Sequence, residues 1–254
     1  MNKRGYITIA VIVLAAAAAV AYFGFLRPAA GDKPAVSAKG KVIVALDAGH
    51  GGTDPGATSG DYNEKVVNLA VVKKVQALLA NDKQISVLLT RSTDLLVPLE
   101  ERIRIAQDGG ASVYVSVHVD SYATAEVSGV GTWVDLTRKE SESDATYQLA
   151  RRLVDATVTA TGARNRGIQK QDSYLQRTTM PAVTLEVGFI TNPTERALLF
   201  DPAYQDKLAA GIVAGIRDFL AWREAFQSAS SAAASTSTTK TTTTPTTTKP
   251  ATKP

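Results

Sequence analysis

The chain contains two histidines, His50 and His118, and each closes a run of apolar residues. His50 follows residues 42–47 in Leu46-Asp47-Ala48-Gly49-His50-Gly51-Gly52, and His118 ends Val115-Ser116-Val117-His118. Such runs read as strands buried on both faces, so both imidazoles are expected at carboxyl ends of strands. One histidine beside an apolar strand is ordinarily a satisfied core residue; two at matching strand ends point to a shared site. Two carboxylates accompany them. Glu64 opens a helical pattern directly after the His50 loop, where the helix dipole alone would justify an acid. Glu186 interrupts the apolar run Ala182-Val183-Thr184-Leu185-Glu186-Val187, and burial there is costly unless the charge is paired or lies near a metal.

Two imidazoles and one carboxylate form a donor set used by catalytic zinc, which keeps its fourth position for water. A second carboxylate that is not a ligand can take a proton from that water and return it to a leaving nitrogen. Together these groups would make a hydrolase. Spacing leaves open which glutamate holds metal and which moves the proton. The glycines around His50 do not form a phosphate loop, since they lack both Gly-x-Gly-x-x-Gly and a Gly-Lys-Ser/Thr ending. They are read as permitting tight turns beside the metal.

The elements that must position these groups alternate. Strands are predicted over 42–47, 85–90, 113–119, 131–136 and 182–187, and helices over 64–81, 99–107, 143–161 and 204–226. This order predicts a single α/β domain, with a mainly parallel twisted sheet flanked by helices on both faces. The zinc site would sit at the carboxyl ends of the strands.

The ends of the chain differ from its middle. Of 28 lysines and arginines, Lys3, Arg4 and Arg27 lie in residues 1–31, and Lys240, Lys249 and Lys253 in 228–254, with no acid in either segment. The remaining 22 cations face 24 acids in residues 32–227. The positive charge therefore belongs to the tails, and a nucleic-acid binder is not expected. Residues 7–26 are uncharged and mostly apolar, long enough to span a bilayer, and the preceding Lys3 and Arg4 predict a cytoplasmic N-terminus. Residues 1–31 are expected to be a membrane anchor, with a cleaved signal segment as the alternative. Residues 32–40 read as a linker, 41–226 as the catalytic domain, and 227–254 as a Ser/Thr/Pro/Lys-rich disordered tail. Either N-terminal reading places the domain in the periplasm or cell wall space. The absence of cysteine rules out thiolate metal sites and fits export only weakly.

At this point the chain strongly resembles the zinc-dependent N-acetylmuramoyl-L-alanine amidases, often called amidase 3. The resemblance rests on the segment from Leu46 through Asp54-Pro55-Gly56-Ala57, on Asn63-Glu64-Lys65, Leu89-Thr90-Arg91 and Ser116-Val117-His118, and on Leu185-Glu186-Val187-Gly188-Phe189-Ile190-Thr191-Asn192. These segments occur in the family's order across the whole expected domain. The resemblance implies zinc held by His50, Glu64 and His118, with Glu186 as catalytic acid/base. It also implies peptidoglycan as substrate, cut between the lactyl group of N-acetylmuramic acid and L-alanine. A zinc peptidase acting on stem peptides and a non-catalytic wall-binding module are the alternatives. Ala48 and Asp120 stand where the family usually has proline and asparagine. Arg91 and Arg102 read as structural ion-pair partners. Some similar amidases carry an added helix between the second histidine and the last glutamate, displaced by an activator. Here residues 119–185 are filled by one strand, the 143–161 helix and a connection, although Glu126, Glu140 or Glu142 lies within reach of the site. No protein activator is expected, and the protein is expected to be a monomer.

Overall fold

The computed structural model describes residues 40–237, so the expected anchor at 1–31 and the end of the tail lie outside the described residues. Six strands form one sheet in the order β4-β1-β5-β8-β6-β7. They are β1 (Val42–Ala48), β4 (Ile85–Leu89), β5 (Val113–Asp120), β6 (Val130–Asp135), β7 (Asn165–Gln171) and β8 (Ala182–Phe189). A two-residue ladder, β2 (Thr58–Ser59) with β3 (Tyr62–Asn63), stands apart from them. β4, β1, β5 and β8 run parallel, β6 pairs antiparallel with β8, and β7 runs parallel to β6. The carboxyl ends of β1, β5 and β8 therefore share one edge with the amino ends of β6 and β7.

Period-two alternation sorts the strand residues between two faces. Val44, Leu46, Val113, Val115, Val117, Val183 and Leu185 join the main core, together with α1 (Glu64–Leu79), α3 (Ala145–Thr161) and α5 (Pro202–Ser237). Ala45, Tyr114 and Ala182 face the other way, beneath α2 (Leu99–Asp108) and a short 3-10 helix, Tyr174–Arg177. Helices cover both faces, more heavily on the first. α3 is bounded as its sequence requires: the Asp144 carboxylate accepts from the Tyr147 N–H at 2.9 Å, and Gly162 closes the helix at φ 74°.

Three elements depart from expectation. β7 was not foreseen, because Asn165-Arg166-Gly167-Ile168-Gln169-Lys170-Gln171 has one strongly apolar residue; as an edge strand it needs no apolar face on its outer side. The seven-residue helix α4 (Pro193–Leu199) was too short to show a period. α5 continues past Phe226 to Ser237, into the stretch expected to be disordered. Low apolar content argues against packing, not against helix. Extending an existing helix through alanine and serine needs no new nucleus. No helix among the described residues is long and apolar enough to cross a membrane.

Candidate metal centre

His50, Glu64 and His118 converge: one donor atom from each lies within 4.8 Å of the others. His50 Nε2 is 3.2 Å from Glu64 Oε2, and His118 Nδ1 is 2.9 Å from Glu64 Oε1. The two rings meet edge to face with centroids 5.0 Å apart. Two imidazoles and a carboxylate, free to converge on one point, fit a divalent metal ion.

Two of the three groups, His50 and Glu64, are held from behind. His50 Nδ1 bonds Asp54 Oδ2 at 2.8 Å, which leaves Nε2 directed at the cluster. Glu64 is buried at the start of α1, and its Oε2 accepts from the Ala57 N–H at 2.8 Å. Its Oε1 accepts from Asn68 Nδ2 and the Val119 N–H, both at 3.0 Å. Burial would raise the Glu64 carboxyl, but the hydrogen bonds and charge of His118 and His50 hold it well below the usual carboxylate range. Burial likewise opposes protonation of His50, and Glu64 followed by Asp54 outweighs it, raising that imidazole above its ordinary value. A buried anion that gathers positive charge is what a cation site requires.

The backbone at His50 has φ 60°, a left-handed conformation adopted by no other non-glycine residue among those described. Such a residue costs about 1–3 kcal/mol unless its surroundings fix it. Two buried arginines do so. Arg91 donates to the carbonyls of Ala48 at 2.7 Å and Gly49 at 2.9 Å; Arg102 donates to those of Ala48 at 2.7 Å and His50 at 2.8 Å. Arg102 is also an ion-pair partner, 2.6 Å from the fully buried Asp47. Arg91 corrects the expectation: it binds carbonyls and forms no ion pair at contact distance among the described residues. Gly49 leaves space for the His118 ring, since a Cβ there would stand 2.2 Å from His118 Cε1.

Glu186 is the register partner of His118 across β5 and β8, so both side chains leave the sheet on the same side. Its Oε2 is closed to solvent and has no hydrogen-bond partner among the described residues. Burial chiefly, then repulsion from Glu64 and Asp120, raises its carboxyl well above the ordinary value. No ion pair among the described residues explains it. Glu126, Glu140 and Glu142 do not join the metal cluster; Glu142 pairs with Arg151 at 3.1 Å. Between Asp120 and β6 the chain forms a loop without a helix.

Three supporting residues stand outside the groups that strand ends and apolar runs single out. Asp54 lay four residues after His50 in a quoted motif. Asn68 lies one turn after Glu64 on the same helix face, a spacing that could have signalled it. Glu195 was hinted at by Asn192-Pro193-Thr194-Glu195, an N-cap, a proline at N1 and an acid at N3. Its two oxygens accept from the Gly129 and Phe189 N–H groups, each at 2.8 Å, tying β8 to the start of β6.

Comparison with known proteins agrees with this geometry. The profile of the N-acetylmuramoyl-L-alanine amidase family matches residues 44–218. The endolysin of Bacillus phage SPP1 is 38% identical over 182 residues, covering 70% of this chain and 66% of that protein. The germination-specific N-acetylmuramoyl-L-alanine amidase of Bacillus subtilis (strain 168) is 34% identical over 191 residues, covering 68% and 78%. The catalytic domain of CwlV, an N-acetylmuramoyl-L-alanine amidase from Bacillus (Paenibacillus) polymyxa var. colistinus, superposes with a TM-score of 0.65 at 36% identity, covering 70% of this chain and 98% of that one. With that match spanning the sheet, the histidines and both glutamates, the chain belongs to the N-acetylmuramoyl-L-alanine amidase family.

Proposed function

We propose that this protein hydrolyses the amide joining the lactyl group of N-acetylmuramic acid to L-alanine in peptidoglycan, using zinc held by His50, Glu64 and His118. The observation that carries this reading is the placement of two imidazoles and a carboxylate beside Glu186, one of whose carboxyl oxygens lacks a partner among the described residues. When bound, zinc acidifies water and polarises a carbonyl oxygen. Asp54 and Asn68 orient the donors toward it, as outer hydrogen-bond partners do in metal sites. Glu186 accepts a proton from the attacking water. As the carbon–nitrogen bond breaks, it delivers that proton to the departing alanine nitrogen. Its place opposite His118 across β5 and β8, with one carboxyl oxygen closed to solvent and without a partner among the described residues, suits a group that exchanges a proton with the reacting atoms.

A fragment beginning at residue 32, supplied with zinc and no second protein, is expected to release intact stem peptides bearing a free L-alanine amine from purified peptidoglycan. Mass spectrometry of the digest reads this directly. Trimmed peptides would establish a peptidase instead, and no release would leave a wall-binding module or a need for an activator.

The domain acts outside the cytoplasm on this reading, with residues 7–26 as an uncleaved anchor. Sequencing the N-terminus of the mature protein decides the point. Retention of residues 1–31 in the membrane fraction supports the anchor; a soluble protein starting at Ala29 or later sinks it.

A further inference from the structure

Along the same sheet edge, beyond Glu186, a recess of about 400 Å³ is lined by Tyr122, Glu126, Val127, Arg164 and Arg166. We propose that Arg164 and Arg166 bind a free carboxylate of the stem peptide and so select the peptide that is cut. This rests on the amidase reading of the neighbouring site.

Topology sets the distance. Gly131 of β6 is the register partner of Glu186, and β7 is the next strand out. Strands spaced about 4.8 Å apart place β7 roughly 10 Å from β8. An extended peptide covers that span in about three residues. A substrate whose alanine nitrogen lies at Glu186 therefore reaches the recess with its second or third residue. The sugar side of the scissile amide offers no carboxylate there, because the lactyl carboxyl is consumed in the amide itself. Carboxylates begin with the peptide.

The two arginines are available for such a ligand. The Arg164 side chain is exposed and makes no hydrogen bond or ion pair among the described residues. Arg166 lies over the Phe189 ring, 4.8 Å from its centroid, with Nη1 3.5 Å from the Ser128 carbonyl oxygen, and has no carboxylate at contact distance. Among the described residues that line the recess Glu126 is the one acid; Asp120 and Glu195 also act on the Arg166 charge from nearby, so Arg164 is the less compensated of the two guanidinium groups.

The local backbone is shaped to present them. Gly129 has φ +115°, and a Cβ there would stand 2.5 Å from the Arg164 carbonyl oxygen and 3.0 Å from Arg166 Cγ. Glycine thus lets both arginines lie across the start of β6. Glu195 holds that glycine through its N–H. The register of β7 against β6 slips between Val130 and Thr132, and such an irregularity re-aims side chains at a sheet edge. Arginine in this setting recognises carboxylate with paired, charge-assisted donors.

Two sources of the carboxylate are chemically equivalent: the α-carboxylate of a γ-linked D-glutamate at position two, or the side-chain carboxylate of a diamino acid at position three. The test uses the full-length protein with zinc. Cleavage and equilibrium binding are measured for N-acetylmuramoyl-L-alanyl-D-glutamate γ-amide against the corresponding D-glutamate diamide, and for C-terminally amidated tripeptides with D-isoglutamine at position two that end in meso-diaminopimelate against L-lysine, so that each pair differs by one carboxylate. The acid member of at least one pair is expected to bind about tenfold more tightly and to show a correspondingly lower KM, the scale of one charge-assisted contact. The pair that discriminates identifies the source. Arg164→Gln and Arg166→Gln should remove that preference while leaving kcat and the KM of the member lacking the carboxylate nearly unchanged. Equal affinity of wild-type protein for both members of both pairs overturns the subsite, as does an equal rise in KM for the members with and without the carboxylate in both variants. Absence of cleavage with carboxylate-dependent binding intact would instead sink the amidase reading and leave the subsite standing.

Discussion

Glu186→Gln is expected to keep its full complement of zinc and to lose about 100-fold or more in kcat, the scale of a missing acid–base group. The substitution preserves shape and removes only the proton that the side chain can carry. Glu186 lies outside the cluster formed by His50, Glu64 and His118, so the donor set is untouched. Glutamine matches glutamate in size and adds no buried charge, so the fold should not suffer. Glu64→Ala should behave in the opposite way. It removes a donor and leaves the N–H groups of Ala57 and Val119 without their acceptor, so metal and activity fall together. Metal analysis beside steady-state kinetics separates the two. Zinc lost from Glu186→Gln but retained by Glu64→Ala would exchange the assigned roles.

Arg102→Ala is expected to lower the stability of the domain by about 3–5 kcal/mol, the usual cost of stranding one member of a buried ion pair. The Arg102 and Asp47 side chains are 3% and 0% exposed. Thr90 and Ser116 donate their hydroxyls to the same carboxylate. Arg102 additionally holds the carbonyls of Ala48 and His50, so its loss should also loosen the strained turn that aims His50. Burial by itself would raise the Asp47 carboxyl; the Arg102 charge and the hydroxyls outweigh that and hold it below its ordinary value. A carboxyl depressed in the folded state contributes stability above its unfolded value, about 3.9, and loses it as pH falls toward the folded value. The stability gap between wild type and Asp47→Asn should therefore be widest near pH 7 and narrow below about pH 4. Urea unfolding at pH 7 and pH 3 measures this. A gap that is small, or the same at both pH values, would show that the pair contributes little.

Much of the site was legible in the chain because strand ends are legible. Continuous apolar runs fix where β1, β5 and β8 lie, and their last residues bring His50, His118 and Glu186 to one edge whatever the detailed packing. Glu64 followed from the helix that begins directly after the His50 loop. A buried carboxylate in an apolar strand stands out because no core position tolerates it without a reason.

The remaining features depend on contacts between residues far apart in the chain. Asp54 and Asn68 act through hydrogen bonds that exist only once the loop and α1 have closed on His118. Arg91 read as an ion-pair partner, yet folding placed three of its nitrogens against carbonyls of the His50 loop and its neighbours. β7 and the recess beside it left no periodic trace, since an edge strand needs no alternation and its glycines and arginines carry no apolar signal. The sequence by itself determined the alternating elements and the edge on which His50, Glu64, His118 and Glu186 gather, because hydrophobic periodicity is local. Tertiary structure alone decided which groups orient those donors and what lies next to them, because hydrogen-bond partners and recesses are made by strands adjacent in space.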